Sequence, residues 1–98
     1  MVRAEKVLEE WYRRTDDLRA DSTARRVLPF LIEHPVVSSD LVAERIVVSE
    51  RAARSALATL AERAIVQSYE KTPAGPGRPR RFWVASELIA AVTSWSSP

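Results

Sequence analysis

No cysteine occurs anywhere in the chain. Disulfides and thiolate metal sites are therefore unavailable. There is one histidine, His34, and no spacing of histidine and carboxylate residues suits a metal ion, so neither a metal nor a cofactor is expected. No apolar window reaches the length of a membrane span, and no N-terminal apolar run resembles a signal peptide. A soluble cytoplasmic protein is the resulting expectation. The adjacent carboxylates Glu9-Glu10 and Asp16-Asp17 fall in a helical pattern, where neighbours in sequence point apart. His34 has no nucleophile suggested beside it and precedes a proline, at a helix end where a cation would meet free carbonyls. An enzyme is not expected from these residues. Glycine is nearly absent too. The chain has two, and both lie in the stretch PAGPGRPRR at 73–81, together with three of its six prolines and three arginines.

What is present fits one domain of 98 residues, with or without an extension. A chain of this size buries roughly 60–65% of its unfolded surface, enough for one modest core. The formal net charge is only +2. Residues 1–34 and 35–63 are each balanced. The surplus lies at 64–98, where Lys71, Arg78, Arg80 and Arg81 face only Glu70 and Glu87. A local positive tip suits an anionic partner such as nucleic acid. It equally suits a solvated loop kept soluble by arginine.

Along the chain, Ala4, Leu8, Trp11, Thr15 and Leu18 repeat at four and three, and Val7 and Tyr12 widen the stripe. This predicts a helix over 3–20 with a narrow seam of the kind shown to another helix. Asp21-Ser22-Thr23 offers N-caps for a second helix, with Val27, Leu28, Leu31 and Ile32 on one face. That helix ends at His34-Pro35. Pro29 inside it predicts a kink or break near Arg25–Arg26. Ser38 or Ser39 caps a short helix over 39–46. Ser49 caps another over 50–63, with Glu50 at its positive end. Only Val47 and Val48 separate the two. Residues 65–70 alternate, with Gln67 and Tyr69 opposite Ser68 and Glu70. Beyond the tip, Phe82 and Val84 share a face with Trp83 opposite, which predicts a hairpin. Trp83 covers that hairpin or stacks on a base. A last short helix starts at a Ser86 cap and runs through Leu88, Ile89 and Val92 toward Trp95.

The order helix, short helix, tight turn, helix, hairpin resembles the winged helix-turn-helix plan. The residues that carry it are VSSDLVAERIVVSERAARSAL at 37–57, with Ala43 early in the first helix and Leu57 anchoring the second. Many bacterial repressors have glycine where Val47 stands, in a left-handed conformation that a β-branched residue disfavours. The expected fold is mainly α with a small β-hairpin. Residues 1–20 form an N-terminal linker or dimerisation helix, 21–95 the winged domain with its wing at 72–81, and 96–98 a frayed tail. The resemblance implies double-stranded DNA as partner, with Ser49, Glu50, Arg51, Arg54 and Ser55 on the recognition helix facing the major groove. Lys71, Arg78, Arg80 and Arg81 on the wing would face the backbone or minor groove. On the bland reading Arg51 and Arg54 decorate a solvated face, one of them neutralised by Glu50. DNA recognition requires two separate helices rather than one rod from Ser39 to Ala64, with the arginine-bearing side open.

The run from VLEEWYRRTDDL through VLPFLIEHPVV to RFWVA is similar to the C-terminal portion of bacterial Fic-family proteins. The Fic catalytic motif is absent: His34-Pro35 is followed by Val-Val-Ser-Ser, with no glycine loop for phosphates. The resemblance implies a regulatory module of an AMP-transferring protein, whose chemistry transfers to no residue here. Leu8, Trp11 and Leu18 would then meet a second copy or an N-terminal domain. The alternative to DNA binding is a docking or oligomerisation module.

Overall fold

The computed structural model describes residues 4–71, 75 and 80–89. Most of the hairpin tip, including Arg78, lies outside the described residues, as do Val92, Trp95 and the tail at 96–98.

Helix α1 spans Ala4–Arg14. Its stripe is buried as the spacing suggests: Trp11 and Thr15 are 0% exposed, and Val7, Leu8, Tyr12 and Leu18 pack against the core. It stops at Arg14 rather than running to 20. Asp16 and Asp17 would place two negative charges at the negative end of a helix. The Thr15 hydroxyl donates to the carbonyls of Trp11 at 2.9 Å and Tyr12 at 3.3 Å. The next amides bond three residues back, from Thr15 to Tyr12 and from Asp16 to Arg13, both at 3.3 Å, which tightens and closes the last turn.

Helix α2 spans Thr23–Glu33. Ser22 is its N-cap, its side chain accepting from the Arg25 amide at 3.3 Å. Of the kink or break expected near Arg25–Arg26, the break does not occur, since the helix runs unbroken through Pro29. The proline costs about 3 kcal/mol. Val27, Leu28 and Leu31, fully buried on both sides of it, each contribute about 1.5–3 kcal/mol, so burial outweighs the missing bond. His34 caps the C-terminus, its amide donating to the Phe30 carbonyl at 2.9 Å and its ring 4.6 Å from the Phe30 ring.

Pro35 drives the chain into extended geometry, and Val36–Val37 forms strand β1. The sequence pattern did not suggest it, because two residues carry no periodicity. Helix α3 (Ser39–Ile46) follows, capped by Ser38, whose hydroxyl oxygen accepts from the Leu41 amide at 3.3 Å. Val47 ends it in the left-handed region, φ 58° and ψ 61°. The turn thus keeps the backbone that glycine would supply, at a cost in strain for a β-branched residue. Arg26 of α2 donates to the Ile46 carbonyl at 2.6 Å, satisfying an orphan acceptor at this exit.

Helix α4 (Glu50–Glu62) is capped by Ser49, which accepts from the Ala52 amide at 3.0 Å. Ala53, Ala56, Leu57 and Leu60 are its buried face. It ends in a second left-handed residue, Ala64, φ 60°. The Ile65 amide donates to Leu60 at 3.0 Å and the Ala64 amide to Ala61 at 3.1 Å, a Schellman closure. Strand β2 (Gln67–Lys71) and strand β3 (Arg80–Val84) form the hairpin. The antiparallel sheet has the order β1-β3-β2, so the expected hairpin is part of a three-stranded sheet. Residues 86–89 form a helical turn. Ser86 is not its cap: the Ala85 carbonyl accepts from Ile89 at 3.2 Å, and the Ser86 hydroxyl leans back toward the Val84 carbonyl.

One core joins these elements, from Trp11 through Leu28, Leu31, Val42, Leu57 and Leu60 to Trp83 and Leu88. The fold is a winged helix-turn-helix with α1 packed onto it.

Candidate nucleic-acid interface

The α3–α4 pair is two helices, not a rod, because Val47 turns the chain. At the start of α4, Ser49, Glu50, Arg51, Arg54 and Ser55 are all exposed. Leu57 and Leu60 fix which face turns inward, and the arginines fall opposite. Arg54 is held by Glu50, one turn earlier, at 2.6 Å. Arg51 has no ion pair among the described residues. The Ser49 oxygen accepts a bond inside the helix, which leaves its hydroxyl hydrogen free to be donated outward.

On the hairpin, Lys71, Arg80 and Arg81 are exposed. Arg80 and Arg81 were expected in the loop of the wing, yet they open strand β3. In the ladder Arg80 faces Lys71 and Arg81 faces Glu70. Their positions are therefore set by backbone pairing. None of the three has an ion pair among the described residues.

These elements border one groove of about 550 Å³, lined by Ser38, Ser39 and Asp40 of the α3 start, Glu50 and Arg54 of α4, and Glu70 with Arg80–Trp83 of the sheet. Its geometry follows from the strand register. β1 pairs with β3 only at Val84 and Trp83, so the β3 edge beyond Trp83 is left unpaired by β1 and lies along the groove. Three arginines and three carboxylates share the lining.

The arginines nearer α1 behave differently. Arg14 binds Glu87 at 2.8 Å and Glu10 at 3.4 Å, and donates to the Ala64 carbonyl at 3.3 Å. The Glu87 hydrogen bond raises the guanidinium above its ordinary pKa. Arg63 pairs through both nitrogens with Asp17, the Nη2–Oδ2 contact at 2.9 Å, and donates to the Arg14 carbonyl at 2.7 Å. That pairing, mainly through the hydrogen bond, lowers Asp17 below its ordinary 3.8 and raises Arg63. Trp11 Nε1 donates to the other Glu87 oxygen at 3.3 Å. The side chains expected to meet a partner, Leu8, Trp11 and Leu18, thus lie in or against the chain's own core. Glu87 carries a role that no local pattern signals, since its partners lie at the other end of the chain.

Trp83 is 4% exposed, so its reading as the cover of the hairpin holds and stacking on a base does not. Among the described residues no group of three His, Cys, Asp or Glu could hold a metal ion, and no helix is long and apolar enough to cross a membrane.

No family model and no curated protein matches the chain. Among solved structures, the fold is similar to a "possible transcriptional regulator" from Methanosarcina mazei Go1, with TM-score 0.60 and 14% identity over 97% of this chain and 81% of that one. It is also similar to a transcriptional regulator homologue protein from Pyrococcus horikoshii OT3, with TM-score 0.57 and 12% identity over 92% of this chain and 93% of that one. At these identities the likeness is one of fold.

Proposed function

We propose that the chain binds double-stranded DNA and acts in regulating transcription. The observation that carries this reading is the presence of two exposed basic elements beside one groove: α4, with Arg54 on the lining and Arg51 exposed one turn earlier, and Arg80 and Arg81, held by the β ladder on the groove's sheet side. The names of the two structural neighbours support the same role. In this reading α4 enters the major groove, where Arg51, without an ion pair among the described residues, reads a guanine edge through two parallel bonds. Arg54 is shared with Glu50, and Ser49 and Ser55 contribute hydroxyls. Lys71, Arg78, Arg80 and Arg81 hold the adjacent backbone or minor groove. A second copy or an attached domain would meet the outer face of α1, since Leu8, Trp11 and Leu18 turn inward.

The test is the salt dependence of duplex binding. Each phosphate contact contributes about −0.9 to the slope of log affinity against log salt. Changing Arg78, Arg80 and Arg81 together to alanine should lower affinity and flatten that slope by about two to three. Equal binding of wild type and triple variant at low salt would remove the wing from the interface.

A second reading, a docking module for a partner or for an attached AMP-transferring domain of the Fic kind, draws on the groove's charge balance. Asp40, Glu50 and Glu70 stand among its arginines, which suits a mixed protein surface as well as a polyanion. Duplex affinity that is weak and nearly independent of salt would favour it.

A further inference from the structure

The register of the hairpin places a second, different surface on the other face of the sheet. Tyr69 stands opposite Phe82, Lys71 opposite Arg80, and Gln67 opposite Val84, which also pairs with Val36. Side chains alternate across a strand, so these residues share one face. Trp83 and Val37, both buried, lie on the opposite face, toward the core. From base to tip the outer face reads Val36, then Val84 with Gln67, then Phe82 with Tyr69, then Arg80 with Lys71.

Tyr69 is 52% exposed, and Phe82 is half-buried beside it. The Tyr69 hydroxyl donates to Gln67 Oε1 at 2.7 Å, which steadies the ring against the sheet. One same-face step toward the tip, about 7 Å along the strands, comes a pair of cations with no ion pair among the described residues. Two rings next to two cations match the two parts of a nucleotide. A base offers a π-face to an aromatic ring, and the adjoining phosphate offers charge to lysine and arginine. In a duplex those π-faces are covered by neighbouring bases, so only an unpaired strand can use the rings. The rings and the arginine also suit a protein surface, but two adjacent cations with no carboxylate among the described residues of this face favour a polyanion.

We propose that the outer face of the sheet binds single-stranded nucleic acid, an unstacked base lying on Tyr69 and Phe82 and its phosphates on Lys71 and Arg80. This does not depend on the duplex reading, although Lys71 and Arg80 serve both surfaces and Phe82 also borders the groove.

The test uses the full chain and a fluorescent oligothymidylate, with binding read by anisotropy at low salt. An abasic oligomer of equal length and a duplex serve as parallel probes. Loss of one base–aromatic stack weakens binding by roughly 5-fold or more. Tyr69→Ala should therefore weaken oligothymidylate binding at least about 5-fold and leave duplex binding unchanged, while Tyr69→Trp restores it. Wild type should bind the abasic oligomer weaker by a similar factor. Tyr69 is largely exposed, so Tyr69→Ala should keep the wild-type circular dichroism and melting curve. The proposal is overturned if wild type shows no saturable oligothymidylate binding, if Tyr69→Ala binds like wild type, or if the abasic oligomer binds equally well. Oligothymidylate binding without duplex binding would keep this proposal and reject the other.

Discussion

The arginines of the α1 side and those of the α4–β3 side share a side chain but differ in use. Arg14 and Arg63 are tied to Glu87, Asp17 and backbone carbonyls, and together they join α1, the end of α4 and the segment after β3. Arg25, over the Tyr12 ring at 5.1 Å, and Arg26, on the Ile46 carbonyl, belong with them. Arg51, Arg80 and Arg81 have no such ties among the described residues, and Arg54 has only its neighbour Glu50. A guanidinium fits a planar fork of acceptors. Where the fold supplies those acceptors the residue fastens elements together; where it supplies none, the donors remain for another molecule. Net charge alone hides this division, because both sets count equally toward +2.

The largest effect should come from the fastened side. Trp11→Ala removes a ring that is fully buried and leaves Glu87 without its indole donor, which should cost about 3–5 kcal/mol in equilibrium unfolding. Unchanged stability with an altered sedimentation coefficient would instead put Trp11 in a partner interface and undo the comparison. The open side should behave oppositely. Arg51→Ala should leave stability within about 0.5 kcal/mol while weakening duplex binding by about 1–3 kcal/mol. Lost stability without lost affinity would make Arg51 one more fastener.

Smaller effects sharpen the picture at the joints. Val47 is 83% exposed yet left-handed, so Val47→Gly sacrifices little burial. Relief of strain of order 1–3 kcal/mol, less glycine's entropy of roughly 0.5–1 kcal/mol, should give a net gain near 1 kcal/mol in thermal or chemical unfolding. Ala64→Gly should give less, because alanine is less crowded there. The smallest effect is acid sensitivity at Asp17. Its folded pKa is lowered, so its contribution is complete above its ordinary 3.8 and disappears as pH falls through the lower folded value. Asp17→Asn should lack that component of the fall in stability at acid pH; an identical acid profile would mean that the Arg63 pair contributes nothing.

Much of the fold was legible because its signals are local. Ser49 caps the helix expected of it, Ser22 and Ser38 are the caps among the neighbouring candidates Asp21–Thr23 and Ser38–Ser39, and the exit at Val47 separates α3 from α4 as the two-residue spacing suggests. The features that escaped are set by residues distant in sequence or by competition between terms. Pro29 sits in an unbroken helix because buried Val27, Leu28 and Leu31 outweigh it. β1 exists because β3 returns beside it. Glu87 binds Trp11 and Arg14 from the opposite end of the chain. On the interface, alternation showed that Trp83 and Phe82 face opposite ways but not which faced the core, and Arg80 and Arg81 are placed by a ladder whose register the tip sequence does not specify.

The central claim, that one side of the molecule is fastened and the other presented to DNA, is tested most directly by amide chemical shifts during titration with a short duplex. The account predicts that Ser49–Ser55 and Arg80–Arg81 shift first and furthest, while Arg14, Asp17 and Arg63 remain near their free positions. Shifts centred on α1 and Glu87, with those of the α4 start and β3 unmoved, would contradict it.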